Sequence, residues 1–214
     1  MDNVLEIYAT PYDSRHPVVC MDEQPVQLIG ETRVAIPATR THAKRVDYEY
    51  ERRGTASIVM FAEPLGAFRQ ATARPQRTKS DWAWEVAHLL DKRSAKCATI
   101  TLVSGNLNTH TIGAFDEAFS PKQARAYVKR LDLVHTPKHG RWLRLLNEHR
   151  AECELSCLTS QCLADRRIGD LDLLQFEIAT WSEKTNTKQR GVDWHFPLED
   201  ARIKLKNLYP KIKT

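Results

Sequence analysis

Val18-Val19-Cys20-Met21-Asp22-Glu23 decides how the rest of the chain is read. Four apolar residues follow Pro17 and stop abruptly at two acids. A short apolar run bounded in this way is the pattern of a buried strand, here one whose end delivers carboxylates. Downstream, past Pro25, Val26 to Ile29 reads as a short second strand punctuated by Gly30. Val46-Asp47-Tyr48-Glu49-Tyr50-Glu51 alternates apolar and acidic residues, the period of a half-exposed strand. Arg52 to Thr55 then reads as a turn and Ala56 to Phe61 as a returning strand, a hairpin. Thr78 and Asp81 have capping-box spacing, and Trp82, Val86, Leu89 and Leu90 share one helical face behind them. Ala98-Thr99-Ile100-Thr101-Leu102-Val103 is a β-branched strand stopping at Ser104-Gly105-Asn106. Further on, the pattern predicts a helix over 121–131, a strand from Leu131 to His135, and helices over 142–166, over 171–184 and from about Leu198. Strands first, then strands alternating with helices, imply an α/β protein: a mixed sheet flanked by helices.

The chain has 214 residues, enough for one sizeable domain with a real core. Its 42% hydrophobic and 28% charged residues exclude a disordered, collagenous or coiled-coil chain. A net charge of +5 favours an anionic partner, nucleic acid being the commonest, as evenly as it favours an ordinary basic enzyme. No apolar run approaches the roughly 18 residues of a membrane span. The first residues, Met1 to Glu6, lack the basic and apolar regions of a signal peptide, so a cytoplasmic location is expected. The five cysteines, Cys20, Cys97, Cys153, Cys157 and Cys162, are an odd set and argue against a disulfide framework.

Several ordered blocks together resemble the transposases of bacterial mariner-like insertion sequences, which are DDE-type endonucleases. They are Val18 to Glu23 with Gln27 to Glu31, Leu102 to His110, Thr136 to Gly140, Ala151 to Ser156, and Val192 to Trp194 with Asp200 to Lys206. The resemblance runs from about Val4 to the C-terminus and implies a ribonuclease-H-like fold. In such a fold two aspartates at strand ends and one acid on a late helix hold two Mg²⁺ ions, Mn²⁺ being an alternative, for DNA cleavage and strand transfer. Carried over by position, Asp22 is the first acid and Glu152 the third. The resemblance further implies double-stranded DNA, the insertion-sequence ends, as partner and leaves a homodimer open. It implies no membrane partner and a bacterial, nucleoid-associated place in the cytoplasm. The whole of 1–214 is expected to be one catalytic domain, with the family's N-terminal helix-turn-helix modules absent.

Two departures from the family pattern matter. The second aspartate should precede Asn106-Leu107-Asn108-Thr109-His110, and Gly105 stands there. A glycine supplies neither oxygen ligand nor charge, and Ser104 and Asn106 alternate to the other side of a strand. Asp116 lies at least one helical segment away. The stretch from Gly140 to Glu152 is also about five residues long for the family. Five residues in a helix turn its face by about 140° and lift it about 7.5 Å. Glu148 is therefore a rival for the third acid. Weak metal binding and an impaired enzyme are expected, alternatively a remnant that binds DNA or a sister subunit without cutting.

The remaining features have plain readings beside the sharp ones. Asp22 by itself would serve as a turn cap. His110 and His139 sit in distinctive loops, where they either contact phosphate or water or stabilise a turn. His149, Cys153 and Cys157 fall on one helical face, which is read as buried cysteines on a core face rather than as a zinc site, since no fourth ligand is suitably spaced. Arg40 to Lys79 carries nine Lys/Arg against four acids, and Arg202 to Lys213 five against none. Each segment would track a DNA backbone or form a solvated surface. Trp181 and Trp194 are expected to pack rather than stack on bases.

Overall fold

The computed structural model describes residues 2–136 and 150–188. Helix α1 (Asp2–Ala9) leads into β1 (Val18–Glu31), β2 (Tyr50–Glu63) and β3 (Phe68–Arg74). Then come α2 (Lys79–Asp91), β4 (Ile100–Ser104), α3 (Ala114–Ala118), α4 (Pro121–Val128) and β5 (Leu131–His135). From residue 150 on, α5 (Arg150–Leu158) runs into a π-helical turn (Thr159–Leu163), and α6 (Leu171–Thr187) closes the described chain. The strands form one mixed sheet in the order β3-β2-β1-β4-β5. The first three are antiparallel and the last two join β1 in parallel.

The pleat sorts alternate residues into two cores. Cys20, Ile58, Met60 and Val103 pack with Val4 and Tyr8 of α1, Leu155 and Leu158 of α5, and Ile178 and Trp181 of α6. Met21, Val59, Phe61 and Leu102 pack on the other face against Trp82, Val86, Leu89 and Leu90 of α2, with Phe115 and Ala124 beyond. Trp181 is thus a packing residue, as expected. The capping box of α2 forms: Thr78 Oγ1 accepts the Asp81 N–H at 3.1 Å, and Asp81 Oδ2 accepts the Thr78 N–H at 2.9 Å.

Three local expectations differ from the structure. The two short strands over 18–29 are one continuous β1, with Pro25 inside it opposite Ser57. Pairing with β4 ends at Met21, so beyond it one edge of β1 has no strand beside it, and an edge tolerates a missing N–H. The expected turn at Arg52 to Thr55 is strand. Between the pairs Gln27↔Thr55 and Ile29↔Arg52 the second strand spends one extra residue, and Gly54, at φ 109°, supplies the left-handed backbone of that bulge. The hairpin partner of β2 on its far side is β3, which the pattern did not announce. This edge strand is covered by α6 side chains: the Asn186 amide bonds both the N–H and the carbonyl of Arg69, and Gln175 accepts the Ala73 N–H. The helix from 121, the strand at 131–135 and the helix from 171 stand close to where expected. The residues 137–149 and 189–214 lie outside the described chain, and with them Glu148, His139, His149, Trp194 and the basic C-terminal segment.

Candidate active site at the strand ends

The parallel ladder brings β1 and β4 side by side up to Met21 and Ser104, and Asp22 is the next residue of β1. Cys20 points to the α5 core, so the two-residue period turns Asp22 and Gln24 to that same face. On α5, Glu152 and Ser156 are one turn apart, and Thr159 and Ser160 follow in the π-helical turn. These residues meet. Asp22, Gln24, Glu152, Ser156 and Thr159 line a single open cleft of about 450 Å³. Asp22 Oδ1 also accepts the Glu23 N–H at 2.8 Å. Inside the cleft the Gln24 amide and the Thr159 hydroxyl lie 3.1 Å apart, pinning the strand of Asp22 to the helix of Glu152. Neither Gln24 nor Thr159 was singled out in the sequence. The signal was there in one respect only, since Gln24 is two residues from Asp22.

A second tie fixes that helix. Arg69 on β3 and Glu154 on α5 form a 2.7 Å ion pair whose side chains are only 5% and 13% exposed. The helix buries Ala151, Leu155 and Leu158. Cys153 and Cys157 lie between those positions and are exposed, which corrects the expectation of cysteines on a core face. The expected length excess before Glu152 falls on residues 141–149, outside the described chain. Glu152 itself lines the cleft with Asp22.

Gly105 follows the last β4 residue. Val103 points to the α5 core, so the period of two carries position 105 to the face of Asp22, one step past the Met21–Ser104 pair. Among the described residues, its chain neighbours aside, a Cβ built on Gly105 meets nothing within 4 Å. Ser104 is fully buried toward the other face, and Asp116, on α3, is exposed among elements packed on the α2 side. None of these supplies a third carboxylate to the cleft. Among the described residues no group of three or more His, Cys, Asp or Glu side chains is placed to hold a metal ion.

His110 does not face the cleft. It is fully buried, its ring stacks on Trp82 with centroids 5.7 Å apart, and its Nδ1 donates to the Gly105 carbonyl at 2.9 Å. Of its two expected roles, only the turn-stabilising one is compatible with that burial. His135, at the end of β5, has its imidazole pushed below the ordinary histidine range, first by burial and then by the neighbouring His110, against a pull from the Gly105 carbonyl. In the basic stretch over 40–79, Arg40, Lys44, Arg45 and Arg52 are exposed, whereas its later half is largely paired. Arg69, Arg74, Arg77 and Lys79 are paired with Glu154, Glu85, Glu23 and Glu117.

Comparison with known proteins agrees with this fold. Among curated proteins no sequence matches the chain. Of solved structures, the Mos1 mariner paired end complex with Mn and the Mos1 strand transfer complex each superpose with a TM-score of 0.54 at 12% identity. Each match covers 88% of this chain and 55% of the other, so the chain spans about half the length of those proteins. Identity this low speaks for the fold alone, and that fold is the ribonuclease-H-like one. The family profile described as DDE superfamily endonuclease matches residues 17–175, a span running from the start of β1 through α5 and into α6. The chain therefore belongs to the DDE superfamily endonucleases.

Proposed function

We propose that this chain is a transposase catalytic domain built for metal-dependent cleavage and transfer of DNA strands at insertion-sequence ends. In this reading Asp22 and Glu152 are its remaining metal-binding carboxylates and Gly105 leaves the copy impaired. The observation that carries the reading is the convergence of Asp22 and Glu152, 130 positions apart, in one cleft with position 105 beside them. The structures of like fold include the Mos1 paired end complex with Mn and the Mos1 strand transfer complex, which supports the same reading.

The donor set fits one hard divalent ion. Two carboxylates line an open cleft, and the third corner is bare main chain. Asp22 and Glu152 would hold the ion, Mg²⁺ or Mn²⁺. When bound, such an ion supplies activation of an attacking oxygen and neutralisation of a leaving one in displacement at phosphorus. The protein's own part is placement. Gln24 and Thr159 hold strand against helix, and the Arg69–Glu154 pair keeps that helix from rotating. With no carboxylate at 105, a second ion has no anchor on the β4 side, so cleavage falls away while the scaffold stays.

The test is Mg²⁺-dependent nicking of plasmid DNA by the purified chain, beside an Asp22→Ala control. No nicking above the control is expected, and clear Mg²⁺-dependent nicking above it refutes the impairment. The open space at Gly105 favours a second reading, a folded remnant that binds DNA or a second copy of the chain without cutting it. Retained DNA binding without nicking in Mg²⁺ or Mn²⁺ is its expected outcome.

A further inference from the structure

Behind the cleft, on the opposite face of the sheet, lies a buried polar pair that the proposed chemistry does not use. The pleat turns Glu23 away from Asp22 into the α2 side, where its side chain is only 2% exposed. Facing its carboxylate are His110 Nε2 at 3.4 Å from Oε1 and Arg77 Nε at 3.5 Å from Oε2. His110 reaches the other way to Gly105. Its Nδ1–H and the Leu107 N–H both donate to the Gly105 carbonyl, at 2.9 and 2.8 Å. Trp82 covers the ring. Burying a carboxylate is costly unless it is paired, so this arrangement is an expense that the core alone does not require. Its place explains it. The β1–β4 ladder ends at Met21 and Ser104, one residue short of the two positions that must be held at a fixed separation. From there on, Glu23 in the middle of β1 faces His110 Nε2, while Nδ1 of the same ring bonds the main chain at the end of β4.

We propose that Glu23 and His110 are positioning residues, which hold the main chain at position 105 in line with Asp22 from behind the cleft. This rests on the metal-site reading above and deepens it: the side-chain bracket for the second carboxylate persists in a chain that has lost the carboxylate itself. The two ring nitrogens do separate jobs, so they are separable by substitution. In His110→Asn the amide nitrogen takes the place of Nδ1 and keeps the bond to Gly105. In His110→Gln it takes the place of Nε2 and loses that bond.

The first measurement is amide hydrogen exchange in the otherwise unaltered chain. Leu107 is expected to exchange about tenfold or more faster in His110→Gln and to stay close to the parent in His110→Asn, with Val59 and Leu102 in the core unchanged. Glu23→Gln, which keeps the side-chain volume, is expected to loosen Leu107 in the same selective way. The second measurement is Mn²⁺ affinity by electron paramagnetic resonance in a Gly105→Asp background, where His110→Gln is expected to weaken binding about tenfold and His110→Asn to retain it. Unchanged Leu107 exchange in His110→Gln, or loop and core amides accelerating together, overturns the positioning role whatever the metal does. Absence of Mn²⁺ binding by the Gly105→Asp chain itself, with the loop result intact, refutes the metal-site reading instead and removes the catalytic purpose of the pair.

Discussion

Gly105→Asp is expected to raise Mn²⁺ affinity about thirtyfold or more while changing folding stability little. Sterically the substitution is free among the described residues, because apart from the chain neighbours none of their atoms lies within 4 Å of the added Cβ. The backbone there is not in the left-handed region that favours glycine, so restricting the unfolded chain contributes roughly 0.4–1 kcal/mol in favour of folding. Opposing this is repulsion from Asp22 on the neighbouring strand. Strands lie about 4.8 Å apart. Two carboxylates about 6 Å apart then repel by roughly 0.7 kcal/mol at the dielectric of water and 2.8 at that of a protein surface. The cleft is open, so the lower figure governs and the two effects nearly cancel. For the metal the sign reverses. A dication about 2.1 Å from one more carboxylate gains roughly 4 kcal/mol even at the dielectric of water. Allowing about half of that for desolvation and ordering leaves about 2 kcal/mol, or about thirtyfold, as the conservative figure. Titration with Mn²⁺ followed by electron paramagnetic resonance measures the affinity, and urea unfolding without metal measures the stability. An affinity gain under about threefold in a chain that unfolds like the parent would show that position 105 and Asp22 do not share a metal, and the convergence would lose its chemical meaning.

Three further outcomes follow from other contacts. Glu154→Gln leaves the Arg69 guanidinium buried without its carboxylate, with Nε and Nη1 already lacking hydrogen bonds, and is expected to cost about 3–5 kcal/mol in urea unfolding; a loss below about 1 kcal/mol would show that the pair is not a strut. Trp82→Ala empties the space under His110 and Phe115 and is expected to cost about 3–5 kcal/mol, read from the same unfolding curves. His135 titrates below its ordinary value in the fold, so as pH falls through about 6.5 the unfolded chain takes up the proton first and stability declines, while above that window its contribution is flat. His135→Gln is expected to flatten the stability profile between about pH 7 and 5, and an unchanged slope there would assign that slope to other groups.

The main elements were legible because their signals are local. Val18 to Met21, Ile100 to Val103 and the α2 face announce themselves by burial pattern, and Thr78 with Asp81 caps as the spacing says. The edge strand β3 was not legible, because its pairing is made by β2 on one side and by side chains of α6, more than a hundred residues away, on the other. The join of the two halves of β1 was hidden by Pro25, whose missing N–H is harmless only once it is known where β4 stops. Cys153 and Cys157 were misplaced by the same kind of ignorance. A helical face is defined by the sequence, but which face is inward is set by what packs on it.

Sequence alone determined which residues carry charge and which do not. Asp22 ends an apolar run, Glu152 sits in a later helix, and position 105 is a glycine, whatever the fold. Only the tertiary structure decided that Asp22 and Glu152 open into one cleft, that Glu23 beside them turns inward to His110, and that Arg69, Arg74 and Arg77 of the basic stretch are spent on ion pairs. The physical reason is that side-chain identity is written residue by residue, whereas distance between residues remote in sequence arises only when β1, β4 and α5 bury their apolar faces together and fix one register.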